Sequence, residues 1–480
     1  IVIPILSEDK ILFGIYSLCT SFIVFFSYSD FGLLAASQRA LAEFYSKKET
    51  AKYFSNIRLL FASQTIIGLG FTAFFLLLSF LPELVTGKTL EVENRLVASE
   101  MFLILAISTP AYLINKVTQT ISSSMLQDYV FSFFIISNSV FRIVTALIMN
   151  YLNIFTLTDF FWITQLFTLM VSIVALLYVL KGIGFVYKDA ISDYNDYMFT
   201  FRQLRGSMVA AGLSSILSIF YFDFDQIIIA NFFNLEAVAV YAIAFSIATI
   251  IRTINGLLFS PLGVKITQLV SSDSSEFKDY FSKIVSLYFP ILMIIIAIPV
   301  TFGDEIITQW VGENYRGAYS LLIYLSLSWL FSFFVNPLSS YLFALKKNKL
   351  YSYSSIALFT SFYSSFIVLG VFFPNSVDIL PLSKIFSAVV SFVFYLYFAV
   401  KLKVNLSDRI WIQTIFTFLI LSLFFGISKY FYFEIWNNYI LSGFHGLLTY
   451  FAIIVSIVLL ILFVFNSEHN NLFKRQIKRI

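Results

Sequence analysis

The chain has 480 residues, of which 59% are hydrophobic, 19% aromatic and only 12% charged. Ordinary soluble domains are about 45–50% apolar and about 25% charged, so this composition excludes a soluble globular protein. The formal net charge of +4 does not indicate a nucleic-acid partner, because the positive residues stand in short connections between apolar runs. The single cysteine, Cys19, excludes an intrachain disulfide and a thiolate metal cluster.

Apolar runs of about 20 residues or more, the length that a helix needs to span a bilayer, follow one another along the whole chain. In chain order they cover 11–37, 53–82, 98–121, 130–152, 158–180, 206–232, 236–260, 280–302, 318–345, 351–373, 379–400, 410–433 and 441–465. The opening segment, 1–6, is too short to span, and we interpret it as the end of a truncated first helix. The sequence thus predicts an all-α polytopic membrane protein with about 14 transmembrane helices.

Lysine and arginine residues are shared unevenly between alternate connections. One set of connections holds 21 of them, and the other holds Lys10, Lys88, Arg95, Arg316, Lys384 and Lys429. Because positive residues resist translocation, the richer set is predicted to be cytoplasmic. The basic tail at 474–479 belongs to that set. An even number of helices then predicts that the N-terminus is cytoplasmic as well.

A weak internal repeat links the two halves of the chain. The nine residues from Tyr53 match the nine from Tyr280 at five positions. At nearly the same offset, Gly14-Ile15-Tyr16 falls against Ala239-Val240-Tyr241. The matched segments have the same predicted sidedness, so the repeat is parallel. It predicts two six-helix lobes, 1–200 and 201–405, followed by a helix pair and basic tail at 406–480.

Four segments carry a resemblance to a known family: 7–17, 30–45, 225–241 and 310–315. In order and spacing they resemble the Wzx-type polysaccharide (O-antigen) flippases of the multidrug/oligosaccharidyl-lipid/polysaccharide (MOP) exporter superfamily. The resemblance implies two lobes around a central cavity in the bacterial inner membrane. It also implies alternating access that carries undecaprenyl-pyrophosphate-linked oligosaccharide from the cytoplasmic to the periplasmic leaflet, for lipopolysaccharide O-antigen or similar polysaccharide biosynthesis.

The same resemblance implies the partners. They are the undecaprenyl-pyrophosphate-linked glycan, the membrane lipids and other polysaccharide-assembly proteins, with no nucleic acid. No enzymatic activity and no cofactor are expected, and H⁺ or Na⁺ is the candidate coupling ion.

Four cations stand inside predicted spans: Arg58, Lys116, Arg142 and Arg252. Ionisable groups at this depth are costly, and they usually face a cavity or a partner. A lipid pyrophosphate is anionic, and the forked guanidinium of arginine can bind it through two hydrogen bonds. We therefore predict that these four cations bind the substrate in the cavity. Two alternatives stay open: Arg58 and Lys116 can reach the headgroups, and Arg142 and Arg252 can pair with acids on neighbouring helices.

Three acids also stand in predicted spans: Asp30, Asp223 and Asp225. An intramembrane carboxylate can bind H⁺ or Na⁺ and couple transport to an ion gradient. Two alternatives stay open here as well. Asp223 and Asp225 can lie at the membrane interface, and Asp30 can pair with Arg39.

Other functions fit the sequence less well. A lipid II flippase and a drug or cation antiporter of the same superfamily are the nearest alternatives. A membrane polysaccharide polymerase ranks below them, because the longest outer connections, 83–97 and 303–317, have the size of ordinary loops. Their acids are expected to be solvated, so no catalytic residue and no metal ligand is predicted.

Overall fold

The computed structural model describes residues 2–26, 33–87, 90–125, 127–182, 212–213, 216–272, 274–345, 348–401, 425–430, 432 and 449–450. Every regular element in these residues is helical. Eight of the helices are long and apolar enough to span a membrane, or nine if the helix that bends within 318–342 counts as one span. The prediction of an all-α polytopic membrane protein is confirmed.

The chain divides into two compact units, and the first comprises Ile1–Ala242 and Ser355–Phe362. Its helices are α1 (Val2–Leu6), α2 (Lys10–Phe25), α3 (Leu33–Ser46), α4 (Thr50–Phe80), α5 (Glu83–Thr86), α6 (Val92–Ser124), α7 (Asp128–Tyr151), α8 (Leu157–Gly182) and α9 (Asp225–Phe232). Helix α6 packs along α4 and α8 and also contacts α2, α3 and α7. It is therefore the central helix of this unit.

Local sequence explains where α2 begins. The side chain of Asp9 accepts hydrogen bonds from the backbone N–H groups of Ile11 and Leu12, at 2.8 and 3.0 Å. These bonds satisfy donors that a helix start otherwise leaves unpaired, so Asp9 acts as the N-cap. Along α2, Phe22 packs against Phe75 of α4 and Phe102 of α6, each at 5.8 Å between ring centroids. The cap and the aromatic contacts together fix α2 against the centre of the unit.

The second unit comprises Ile243–Ser354 and Tyr363–Ile480. Its helices are α10 (Leu235–Ser272, which starts in the first unit), α11 (Ser274–Val311), a short 3₁₀ turn (Glu313–Tyr315), α12 (Ala318–Ala344), α13 (Asn348–Phe372) and α14 (Ile379–Lys401). Helix α12 packs against both α11 and α14. Residues 425–430 are also helical, and Phe425, Tyr432 and Tyr450 belong to the apolar core of this unit.

The start of α2 touches the start of α10 so closely that only glycine fits. A Cβ on Gly14 would lie 2.2 Å from the backbone oxygen of Leu235, whereas a Cβ on Gly70 of α4 would meet nothing within 4 Å. We expect Gly14→Ala to destabilise the protein by about 1–3 kcal/mol through overpacking. Gly70→Ala, the matched control, should stabilise it by up to about 1 kcal/mol because alanine favours helix.

Thermal unfolding of the two variants in the same detergent micelles measures this difference. A Gly14→Ala protein that unfolds at the wild-type temperature would show that α2 and α10 do not pack this closely.

Nine of the predicted apolar runs correspond to helices, and most of these helices are longer than predicted. They are the runs from 53–82 to 379–400, without 206–232. The run 11–37 corresponds to α2 and α3, with 27–32 outside the described residues. The runs 410–433 and 441–465 lie mostly outside them, and the predicted lobe boundaries remain predictions.

The predicted loop at 303–317 is wrong in its first half. Helix α11 continues to Val311, because Ile306, Ile307 and Val311 keep the segment apolar after its two acids. Ile307 is fully buried in the unit. The acids of this segment are thus held on a helix and not in a solvated loop.

Candidate functional site

Polar side chains from three helices meet inside the first unit. The Tyr112 hydroxyl of α6 donates a hydrogen bond to Oε1 of Gln165 on α8, at 2.5 Å. One turn along α8, the Thr168 hydroxyl donates to Oδ1 of Asn138 on α7, at 3.1 Å. Arg142 stands four residues after Asn138 and therefore on the same face of α7. We call Tyr112, Asn138, Arg142, Gln165 and Thr168 the polar cluster.

Two of the hydrogen-bond donors in the polar cluster are the guanidinium of Arg142 and the side-chain amide of Gln165. Arg142 is half-buried and lies within electrostatic range of the Tyr112 hydroxyl. Gln165 is only 1% exposed, and its Nε2 donates no hydrogen bond to the residues that the structure describes. An amide left unsatisfied inside a protein costs about 1–3 kcal/mol, so this donor favours binding of an acceptor. A guanidinium and an amide, each near the Tyr112 hydroxyl, are groups suited to bind an anionic or oxygen-rich group.

Aromatic rings surround the polar cluster. The ring of Tyr112 stacks on Phe26 of α2, with centroids 5.0 Å apart and planes within 5° of parallel. Phe141 and Phe167 stack between α7 and α8, at 3.6 Å between centroids. These rings fix the positions of the polar groups and keep the surroundings apolar. Charges interact more strongly in such surroundings than in water, so an anion here would be held firmly by Arg142.

The other predicted cations lie on three different helices. Lys116 is half-buried and stands one turn after Tyr112 on the same face of α6. Arg58 of α4 is half-buried, and its Nε is buried without a hydrogen-bond partner. Arg252 of α10 is half-buried and belongs to the second unit. A substrate-binding role for these three and for Arg142 stays a prediction.

Two of the three predicted acids are deeply buried in the first unit. Asp225 is 1% exposed, and its Oδ2 accepts a hydrogen bond from the hydroxyl of Tyr241 on α10. Asp223 is also buried and lies within electrostatic range of the same hydroxyl. Both carboxylates thus lie inside the protein unit. Asp30 lies outside the described residues, and ion coupling by the three acids stays a prediction.

Sequence reasoning missed two buried charges in the second unit. The sequence predicts Lys384 in an outer connection, but it is 3% exposed on α14, with its Nζ 5.9 Å from the ring centroid of Phe245. The sequence predicts Glu305 in a solvated loop, but it is 9% exposed on α11. A local pattern could not show either burial, because the covering residues come from other helices.

A signal for two of the missed tyrosines was present in the internal repeat. Tyr16 and Tyr241 occupy equivalent positions. Tyr16 lies within electrostatic range of Tyr112 in the polar cluster, and Tyr241 binds Asp225. Equivalent tyrosines therefore border the polar cluster and the buried Asp225.

No protein-family model and no curated protein sequence matches the chain. Solved structures do match. The lipid II flippase MurJ in an inward closed conformation has a TM-score of 0.69 at 15% identity, with 95% of this chain and 93% of that chain covered. An inward-facing multidrug resistance MATE family transporter of the MOP superfamily has 0.66 at 14% identity, with 84% and 93% covered. A eukaryotic MATE transporter has 0.54 at 14% identity, with 88% and 94% covered.

The described helices therefore have the fold of the MOP-superfamily transporters. At sequence identities of 14–15%, the likeness shows a shared fold and does not show a shared function. The three proteins are a lipid II flippase and two MATE transporters.

Proposed function

We propose that the chain is a flippase that moves undecaprenyl-pyrophosphate-linked oligosaccharide, of O-antigen or a similar polysaccharide, from the cytoplasmic to the periplasmic leaflet by alternating access. The observation that carries the proposal is the polar cluster: a half-buried arginine and an unsatisfied amide donor inside a fold shared with a lipid II flippase. The fold suits a lipid-linked substrate, and the arginine suits its phosphates.

Coverage of the solved structures favours a flippase over a drug antiporter. MurJ covers 95% of the chain and the inward-facing MATE transporter covers 84%. The difference between these two coverages, 11 percentage points, corresponds to about 53 of the 480 residues. The structural likeness therefore extends over more of this chain with the lipid flippase than with the inward-facing MATE transporter.

The charges of the polar cluster lead to the same choice. A site for cationic drugs needs negative charge, whereas the charged residue of the polar cluster is the cation Arg142. A pyrophosphate that leaves the headgroup region loses hydrogen bonds to water, and a guanidinium with neighbouring amide and hydroxyl donors replaces them. The hydroxyl and amide groups can equally bind the first sugar. The cluster then holds the polar head while the lipid chain stays in the bilayer.

A lipid II flippase is the second candidate, favoured by the likeness to MurJ. Both substrates are lipid-linked and anionic, so Arg142 suits either one.

Purified protein in proteoliposomes tests the proposal. Translocation of an undecaprenyl-pyrophosphate-linked oligosaccharide, of lipid II and of a cationic dye is followed separately, by the access of an external modifying enzyme or quencher. We expect movement of the oligosaccharide lipid only. Movement of lipid II alone would establish the second candidate, and movement of the dye alone would overturn both. In a deletion strain, the lipid-linked repeat unit that accumulates identifies the glycan.

A further inference from the structure

A buried carboxylate in the second unit lies apart from the polar cluster. Glu305 stands in the span 288–311 of α11, six residues before its end, which is about 9 Å along the helix axis. Its side chain is mostly buried, and its Oε2 is buried and accepts no hydrogen bond from the part of the chain that the structure describes. A carboxylate oxygen in this position is costly unless something binds to it. The proposed binding of a pyrophosphate makes no use of this group.

The other oxygen of Glu305 faces a lysine from far along the chain. Lys429, in the helical segment 425–430, places its Nζ 3.5 Å from Oε1. The same Nζ donates a hydrogen bond to the backbone oxygen of Thr301, at 2.7 Å, and lies 6.0 Å from the ring centroid of Tyr319 on α12. Lys429 therefore joins segment 425–430 to α11 through one backbone bond and one ion pair.

The described residues place four more charged or titratable groups near Glu305. Tyr319 of α12 and Tyr432 lie within electrostatic range of it. Asp304 precedes it and holds Arg316 through two hydrogen bonds, at 3.0 and 2.7 Å. These bonds and the Asp304 charge raise the pKa of Arg316, so this exposed cation stays charged and attached to Asp304. Among the described residues, Lys429 is thus the cation in direct contact with Glu305.

We propose that Glu305 is the proton-binding group that couples translocation to an H⁺ gradient, with Lys429 as its ion-pair partner. The inference rests on the proposed flippase function, and it names the coupling ion and its site. A proton from water adds to Oε2 and converts the carboxylate to a carboxylic acid. Lys429 keeps its charge and its bond to Thr301 but loses the ion pair. Release of the proton restores the ion pair. Proton binding therefore weakens the attachment of segment 425–430 to α11, and proton release strengthens it again.

A proton suits this site better than a metal ion does. A sodium ion would need several oxygen ligands around it, whereas Oε2 is a single oxygen without a hydrogen-bond partner among the described residues. A proton needs only that oxygen, and it neutralises the carboxylate directly.

The test compares Glu305→Gln with Glu313→Gln in the full-length protein. Glutamine keeps the shape of glutamate and cannot take up the proton. Glu313 is the matched control: it stands eight residues later, its side chain is 73% exposed, and it pairs with Arg316 at 3.6 Å. Proteoliposomes are loaded with the undecaprenyl-pyrophosphate-linked oligosaccharide and a pH-sensitive dye, and a pH gradient and a Na⁺ gradient are applied separately. Thermal unfolding confirms that each variant is folded.

In the wild type and in Glu313→Gln we expect the pH gradient to speed translocation and the lipid to stimulate proton movement. In Glu305→Gln both effects should fall to the level without a gradient. A pH response that survives in folded Glu305→Gln would overturn the inference, and so would a wild type that responds to Na⁺ alone.

A separate measurement keeps this test independent of the proposed function. Infrared spectra of the wild type, recorded across a pH titration, should show a carboxyl band that is lost in Glu305→Gln and kept in Glu313→Gln. If the wild type moves no oligosaccharide but shows this band, the flippase proposal fails and the proton site stands. If the band is the same in all three proteins, the proton site fails.

Discussion

Replacement of Arg142 by alanine is expected to slow translocation of the oligosaccharide lipid strongly. Hydrogen bonds to charged groups contribute about 1.5–3 kcal/mol each, which corresponds to roughly 10- to 150-fold in rate or affinity. Arg142 is half-buried beside Tyr112, so water cannot fully replace its interaction with a phosphate. Initial rates in proteoliposomes measure the loss, after correction for the amount of protein inserted.

Two further variants separate binding from folding. Arg142→Lys keeps the positive charge but loses the fork, so an intermediate rate is expected. Arg95 is the matched arginine control, because its side chain is 51% exposed at the start of α6 and it pairs with Glu83 of α5 at 2.5 Å. Arg95→Ala should therefore transport at the wild-type rate. An Arg142→Ala protein that also transports normally would remove Arg142 from the substrate site.

Hydropathy predicted the spans well because every helix that crosses the membrane needs about 20 predominantly apolar residues. The run 158–180 became α8 (Leu157–Gly182), and the run 318–345 became α12 (Ala318–Ala344). Helix α11 is longer than its predicted run at both ends, since amphipathic turns outside the apolar window can still pack against neighbours. Helix length beyond the apolar window depends on those neighbours, and a single sequence does not contain them.

The partners of the buried polar groups could not be predicted in the same way. Glu305 and Lys429 stand 124 residues apart, and neither is unusual in its local sequence. Their pairing follows from the packing of segment 425–430 on α11. The cations in spans were easier to find, since a charge inside an apolar run is visible from the sequence alone. For Arg142 the sequence predicted the position, and the structure added Tyr112 and Gln165.

The bond between Tyr241 and Asp225 is expected to contribute strongly to stability. Both residues are buried, and the hydroxyl donates to a carboxylate oxygen. Removing the donor in Tyr241→Phe should cost about 1.5–3 kcal/mol in the free energy of unfolding if Asp225 is ionised. Tyr151→Phe is the control, since Tyr151 is 86% exposed at the end of α7. Denaturant unfolding of both variants in micelles measures the difference.

Asp225→Asn then shows whether the charge of Asp225 is responsible. Asparagine still accepts a hydrogen bond from Tyr241, but the bond is no longer charge-assisted. The added cost of Tyr241→Phe should therefore be smaller in the Asp225→Asn background, and a double-mutant cycle gives the coupling energy. Equal costs in both backgrounds would mean that Asp225 is already neutral in the folded protein. A neutral Asp225 would hold a proton instead of exchanging one, and ion coupling would then rest on Glu305.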